Sequence, residues 1–154
     1  MTGTVQSRLT ALGIALPTPG APQANYIPTT TSGGLVFVSG QVSIAAGGKR
    51  FVGKVGNDLS LDEGREGARI AAINLLAVLQ AAIGDLDRIN RILKLVGFVN
   101  CPPDFTEPHK VVNGASDLLV DVFGDRGRHA RSAIGVSTLP LGAAVEVEAI
   151  VAVA

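Results

Sequence analysis

The chain has 154 residues, enough for one well-buried core and too few for two ordinary domains. Thirteen basic residues balance thirteen acidic ones, and no interleaved aromatic platform accompanies a basic stripe, so nucleic acid is not an expected partner. Apolar residues make up 47% and charged ones 17%, an excess that points to burial in an oligomer interface as well as in a core. Cys101 is the sole cysteine, which excludes an internal disulfide framework and fits a reducing compartment. The start of the chain lacks a basic stretch followed by an apolar one, so a cytoplasmic location is expected. The longest apolar run, around Ile70 to Ile83, is broken by Asn74 and Gln80, and no membrane span is expected.

Residues 1–25 are rich in Pro, Gly, Ala and Thr, with a helical turn suggested over Leu9 to Leu16. Tyr26 to Thr31 reads as a strand, Ser32-Gly33-Gly34 as a tight turn, and Leu35 to Ser39 as the returning strand. Another extended piece follows Gly40-Gln41, then Gly47-Gly48 and a loop or short strand over Phe51 to Gly56. Ser60 with Glu63 forms a capping-box pattern that opens a helix. Ile70, Ile73, Leu76, Leu79 and Ile83 give it an apolar face, and Gly84 ends it. Gly64 and Gly67 lower helix propensity and suggest close packing there. Ile89 to Val99 reads as a buried strand. A second helix is predicted from about Glu107 to Phe123, with Val111, Ala115, Leu118, Leu119 and Val122 inward. Residues 124–128 read as a solvated loop carrying Arg126 and Arg128, and two strands finish the chain. The order β-β-(β)-α-β-α-β-β predicts an α+β fold with two helices on one face of a mixed sheet.

The last stretch carries the chemistry. Arg131 opens an apolar strand, and Glu146 and Glu148 lie inside another. Charges in strands this apolar cost free energy unless paired or engaged with a ligand. An arginine fork suits a carboxylate, and a glutamate suits proton transfer. Arg131 therefore either anchors a small carboxylate-bearing metabolite or is tied to a glutamate of a neighbouring strand. Glu146 and Glu148 are two apart and share a strand face. One is available to a cleft while the other pairs with a basic side chain, Arg131 being a candidate. Cys101 reads as an inert buried thiol, His109 and His129 as isolated surface or loop residues, and no metal-ligand cluster is evident.

These residues stand within a longer pattern. Val38-Ser39-Gly40-Gln41, a helix ending at Gly84-Asp85-Leu86, Phe98-Val99-Asn100, Asp104-Phe105 and Asn113 precede Ala130-Arg131-Ser132, Leu139-Pro140 and Val145-Glu146-Val147-Glu148-Ala149-Ile150. In this order the chain resembles the RidA/YjgF family of enamine and imine deaminases, also called translation-initiation-inhibitor-like proteins. The match runs from about Tyr26 to Ala152. The longer N-terminus, Gly53-Lys54-Val55-Gly56 and the Gly-Arg-His-Ala-Arg lead-in look like an extended bacterial branch.

The resemblance implies one chorismate-mutase-like α+β domain over 1–154, with residues 1–25 as an extension. It implies a homotrimer whose ligand clefts lie between subunits. The implied reaction is hydrolysis of 2-aminoacrylate and related enamines or imines to 2-oxo acids and ammonia, a 2-iminobutanoate/2-iminopropanoate deaminase needing neither metal nor cofactor. Arg131 would hold the substrate carboxylate and Glu146 would position or activate water. Tyr26, Ser39, Gly40, Asn113 and Ala133 would contribute to substrate binding. Three departures bear on substrate choice: Ala133 stands where many members have cysteine, His129 replaces a proline, and Asn25-Tyr26-Ile27-Pro28 differs from the common Gly-Pro-Tyr-Ser. The other readings are a non-catalytic carboxylate-binding protein and a regulatory trimer, including the ribonuclease role proposed for some relatives.

Overall fold

The computed structural model describes residues 3–154, so the first two residues of the expected extension lie outside it. Helix α1 (Thr4–Ala11) opens the chain, earlier than the turn suggested over Leu9 to Leu16. Val5 and Leu9, one helical turn apart, set its position by entering the main core, and Ile14 follows them in. Asp87 accepts the Val5 N–H at 3.2 Å, supplying the cap that Gly3 lacks a side chain to make.

Strands β1 (Thr29–Ser32) and β2 (Leu35–Val42) form the predicted hairpin, with Gly33 (φ 57) and Gly34 (φ 76) both in the left-handed conformation of a two-residue turn. The first strand begins three residues later than Tyr26, because Pro28 has no N–H to give a ladder. The extended piece expected after Gly40-Gln41 does not join the sheet as a separate strand. It makes isolated bridges, Ile44 with Arg50 and Val52 with Ala143. Inside this loop Ser43 is fully buried. Its hydroxyl donates to the Phe51 carbonyl at 2.8 Å and accepts the N–H groups of Ala144 and Val145, each at 3.1 Å.

Helix α2 (Leu61–Ile83) starts in the predicted capping box: Glu63 N–H donates to Ser60 Oγ at 3.1 Å, and Ser60 N–H to Glu63 Oε2 at 2.7 Å. It ends at Gly84, φ 80. Its deepest face differs from the expected one. Ala68, Ala71, Ala72, Leu75, Leu76 and Leu79 are fully buried, whereas Ile70 and Ile73 are only half-buried. Small residues win the centre because the helix lies close to its neighbours. A Cβ on Gly64 would fall 2.9 Å from Val55 and 3.2 Å from Val111. Despite Asn74 and Gln80, α2 is long and apolar enough to cross a bilayer by length and composition. Here that apolar length packs against β2, the last strand and the following helix.

Strand β3 (Ile89–Asn100), helix α3 (Pro108–Phe123), β4 (Ala130–Val136) and β5 (Val145–Val153) complete the chain. The expected inner face of α3, Val111, Ala115, Leu118, Leu119 and Val122, is buried. The five-stranded sheet has the order β1-β2-β5-β3-β4. The β3–β4 pair is parallel, with α3 as the crossover, and the other neighbours are antiparallel. Both long helices cover one face, over Val36, Val38, Leu95, Val99, Val145, Val147 and Val151. The other face is open and carries Phe37, Val96, Phe98, Ile134 and Ile150. Phe37 is 42% and Ile134 46% exposed, more than a core residue tolerates without a partner. Arg126, expected in solvent, instead donates to the Asp87 and Ile89 carbonyls at 3.2 and 2.8 Å and pairs with the Asp87 carboxylate. It locks the turn before β4 to the start of β3.

Candidate functional site

Arg131 aligns with Leu95 in the parallel β3–β4 register, so its side chain leaves the sheet on the helix-covered side. There α3 receives it. Nη1 donates to Asn113 Oδ1 at 2.8 Å and to Ser116 Oγ at 3.2 Å, and Nη2 donates to the His109 carbonyl at 3.2 Å. A guanidinium has five N–H donors in one plane, and three are used in these bonds. Nε–H and one N–H of Nη2 remain, two donors in the guanidinium plane that are open to a carboxylate. Among the described residues no carboxylate pairs with it. The tie to a neighbouring glutamate is therefore replaced by a polar cradle from one helix. Ala133 aligns with Gly97 on the same side, two residues further, and packs on the core.

Glu146 lies on the opposite face. Val145 and Val147 beside it are fully buried beneath the helices, so Glu146 and Glu148 both project to the open face, as their spacing predicts. Arg131 is therefore not the partner of either glutamate. The Glu146 carboxylate sits against Gly40, where a Cβ would fall 1.9 Å from Oε1; glycine makes the room it occupies. Ser39 and Gly40 form a bulge in β2, since Val38 pairs with Ala149 while Gln41 pairs with Val147, leaving two residues opposite Glu148. Burial, with the charge of Glu148 adding to it, pushes the Glu146 carboxyl above its ordinary 4.5. A proton is thus held more readily there than on a free glutamate.

Beside this half lies a cavity of about 240 Å³ lined by Ile27, Thr30, Phe37, Ser39, Lys94 and Glu148. Ser39 Oγ donates to the Ile27 carbonyl at 3.1 Å, which fixes the loop before β1. Tyr26 is 53% exposed in that loop and does not line the cavity. The structure thus collects Arg131, Asn113 and Ala133 on one side of the sheet, and Ser39, Gly40 and Glu146 on the other.

Two residues of the arginine cradle escape a reading of the sequence. Ser116 lies three positions beyond Asn113 on α3, the spacing that stacks side chains on one helix face. His129 is half-buried, with Nε2 2.9 Å from Ser116 Oγ and Nδ1 2.6 Å from the Gly127 carbonyl, so it is no isolated surface residue. Lys54 is a structural cation: Nζ donates to Asn100 Oδ1 at 2.8 Å and to the Ser137 carbonyl, tying together the ends of β3 and β4. Cys101 is buried, and burial pushes its thiol up, away from the reactive thiolate.

Comparison with known proteins agrees with this architecture. The family described as "YjgF/chorismate_mutase-like, putative endoribonuclease" matches residues 6–152. Protein TCP17 of Trypanosoma cruzi is 49% identical over 150 residues, 97% of this chain and 94% of that protein. A crystal structure of an Agrobacterium tumefaciens protein with unknown function superposes with a TM-score of 0.91 at 44% identity, covering 98% of this chain and 93% of that one. Another, from Shewanella oneidensis and described as a "putative endoribonuclease", gives 0.94 at 35% identity, covering 98% and 100%.

Proposed function

The chain belongs to the YjgF/chorismate mutase-like family, and from that premise we propose that it hydrolyses reactive enamines and imines of 2-oxo acids, such as 2-aminoacrylate, in a cleft between copies of the chain. The observation that carries this reading is the Arg131 guanidinium, held by three hydrogen bonds to α3 with a pair of coplanar donors left for a carboxylate. Fixing the cradle in advance lowers the entropy lost on orienting a substrate.

The chemistry asks little more. Protonation of the enamine carbon gives the imine, water adds to the imine carbon, and the carbinolamine expels ammonia to leave the 2-oxo acid. For 2-aminoacrylate the sum is one water consumed, with pyruvate and ammonia formed. Glu146, with its raised proton affinity and its place in a half-buried niche, is suited to give a proton to carbon and take one from water. No nucleophile forms a covalent bond in this sequence of steps.

Within one chain the sheet separates Arg131 from Glu146, so the reading requires the arginine half of one subunit to meet the glutamate half of another. The open apolar face supports such an assembly, and a homotrimer is the form we propose. Binding of a small carboxylate without turnover is the alternative, and the ribonuclease reading finds no support in a formal net charge of +0.

The experiment generates 2-aminoacrylate in situ with a pyridoxal-phosphate-dependent dehydratase and follows 2-oxo acid formation. Arg131→Ala and Glu146→Gln should each lose about a hundredfold or more of the turnover alone, and their co-assembled mixture should regain part of it. Background rates in the parent, with 2-oxo acids still stabilising it thermally, would transfer the assignment to a binding protein. Parent activity without recovery in the mixture would place both halves in one subunit.

A further inference from the structure

His129 precedes the arginine strand and touches the cradle through Ser116. Its Nδ1 lies 2.6 Å from the Gly127 carbonyl, which can only accept, so Nδ1 carries a hydrogen. In the neutral ring Nε2 is then bare and accepts, and Ser116 Oγ at 2.9 Å must point its one hydrogen there. The lone pairs of Ser116 are thereby turned to Arg131 Nη1 at 3.2 Å. The direction of every bond is fixed, from Arg131 through Ser116 and His129 to Gly127.

We propose that His129 is a positioning residue for Arg131: its neutral ring, acting through Ser116, fixes the guanidinium in the pose that receives a carboxylate, and protonation of the ring releases it. This rests on the assignment of Arg131 as the carboxylate anchor. A proton on Nε2 would aim a second donor at Ser116 Oγ, which would have to turn its own hydrogen away and accept from two cations at once. The groups around the ring offer no compensation. Arg131, two residues further on, carries the same sign of charge as a protonated ring. On the preceding turn Asp125 pairs with Arg128 at 3.4 Å, and Arg126 with Asp87 at 3.6 Å. On α3, Asp117 beside Ser116 pairs with Arg65 at 3.6 Å.

Burial, opposed in part by the bond to Gly127 and aided by the charge of Arg131, holds His129 below its ordinary 6.5. With a depressed value, the contribution of the neutral ring is fully present above 6.5 and is lost as pH falls through the folded-state value. The protein should therefore hold carboxylates through the neutral range and let them go on acidification.

The test measures 2-oxobutanoate affinity by calorimetry between about pH 5 and 8. It uses the full-length protein and a Glu146→Gln background, so that the glutamate is not the group titrating. The parent ring should lose affinity progressively on the acid side. His129→Gln, whose amide oxygen can accept from Ser116, should bind a few-fold more weakly at neutral pH and show a flat profile. His129→Ala should bind about tenfold more weakly or worse, the scale of one lost bond in a charged network. A glutamine variant with the same acid loss as the parent overturns the proposal.

Nuclear magnetic resonance of the imidazole supplies a readout without ligand. It should show the Nδ1–H tautomer, and Arg131→Ala should raise the titration of His129. Failure of the parent to bind 2-oxobutanoate at any pH would count against Arg131 as the anchor. A His129 titration unmoved by Arg131→Ala would count against the coupling itself.

Discussion

Replacing Gly40 by alanine should separate the cost of folding from the cost of chemistry. Gly40 is not among the glycines with positive φ, so alanine can take its backbone. The added methyl carbon would lie 1.9 Å from Glu146 Oε1, 2.8 Å from its Cδ and 3.1 Å from its Cγ. These atoms form the free end of a flexible side chain, and the carboxylate can swing away. A displaced rotamer costs about 0.5–1.5 kcal/mol. Loss of glycine entropy in the unfolded chain offsets about 0.4–1 kcal/mol of that. The net change should be below about 1 kcal/mol, a melting shift within about 4 °C for a chain of this size. Turnover of 2-aminoacrylate should fall by about a hundredfold, the scale for losing an acid–base group. Gly97→Ala is the control. Its Cβ would fall 2.4 Å and 2.6 Å from the two γ-carbons of fully buried Val112, between sheet and helix. Overpacking there should cost about 1–3 kcal/mol of stability. Thermal unfolding and the coupled 2-oxo acid assay read the two costs separately. If Gly40→Ala keeps turnover within about threefold of the parent while Glu146 is displaced, Glu146 has no part in the chemistry.

Three further outcomes follow from the two halves of the site. Glu146→Gln should lower turnover by about a hundredfold or more while a carboxylate still binds, whereas Glu148→Gln should alter stability or assembly more than rate; steady-state kinetics with light scattering would reveal a reversed assignment. Arg131→Lys keeps the charge and loses the planar pair of donors, so 2-oxo acid binding should fall nearly as far as in Arg131→Ala, and calorimetry retaining parental affinity would show that charge alone suffices. Because the folded-state value of Glu146 is raised, its contribution to stability is present below 4.5 and lost as pH rises through that raised value. Glu146→Gln should therefore be more stable than the parent at neutral pH and lose that advantage at about pH 4, as urea unfolding at both pH values would measure.

Local chemistry makes much of the fold legible. Ser60 and Glu63 cap α2 with bonds made within four residues, and Gly33-Gly34 supplies the two positive φ angles its turn needs. The inner face of α3 can be read because its large apolar side chains recur at helical spacing and are buried together. The buried face of α2 is less readable, since close approach favours Ala68, Ala71 and Ala72 over larger residues that hydrophobicity ranks higher. The cradle of Arg131 depends on the parallel register of β3 and β4, which no local pattern encodes. For the same reason Arg126 reads as solvated from its neighbours in sequence, although its partners, Asp87 and Ile89, lie more than thirty positions away. Spacing does show that Glu146 and Glu148 share a face, while the face itself follows from where the helices pack.

The buried hydroxyl of Ser43 has a consequence for which acid the open face presents. It grips the N–H groups of Ala144 and Val145, immediately ahead of Glu146, and anchors them to the Phe51 carbonyl. Just upstream, Leu141 at φ 61 and Gly142 at φ 69 make a tight turn, held by the Gly53 N–H donating to the Gly142 carbonyl at 2.8 Å. A slip of one position would carry Glu146 into the apolar interior and bring a valine out to water. The Ser43 oxygen thereby pins the start of the strand in the register that the ladders to β2 and β3 continue, odd residues dry and even residues wet, with the acid on the open face.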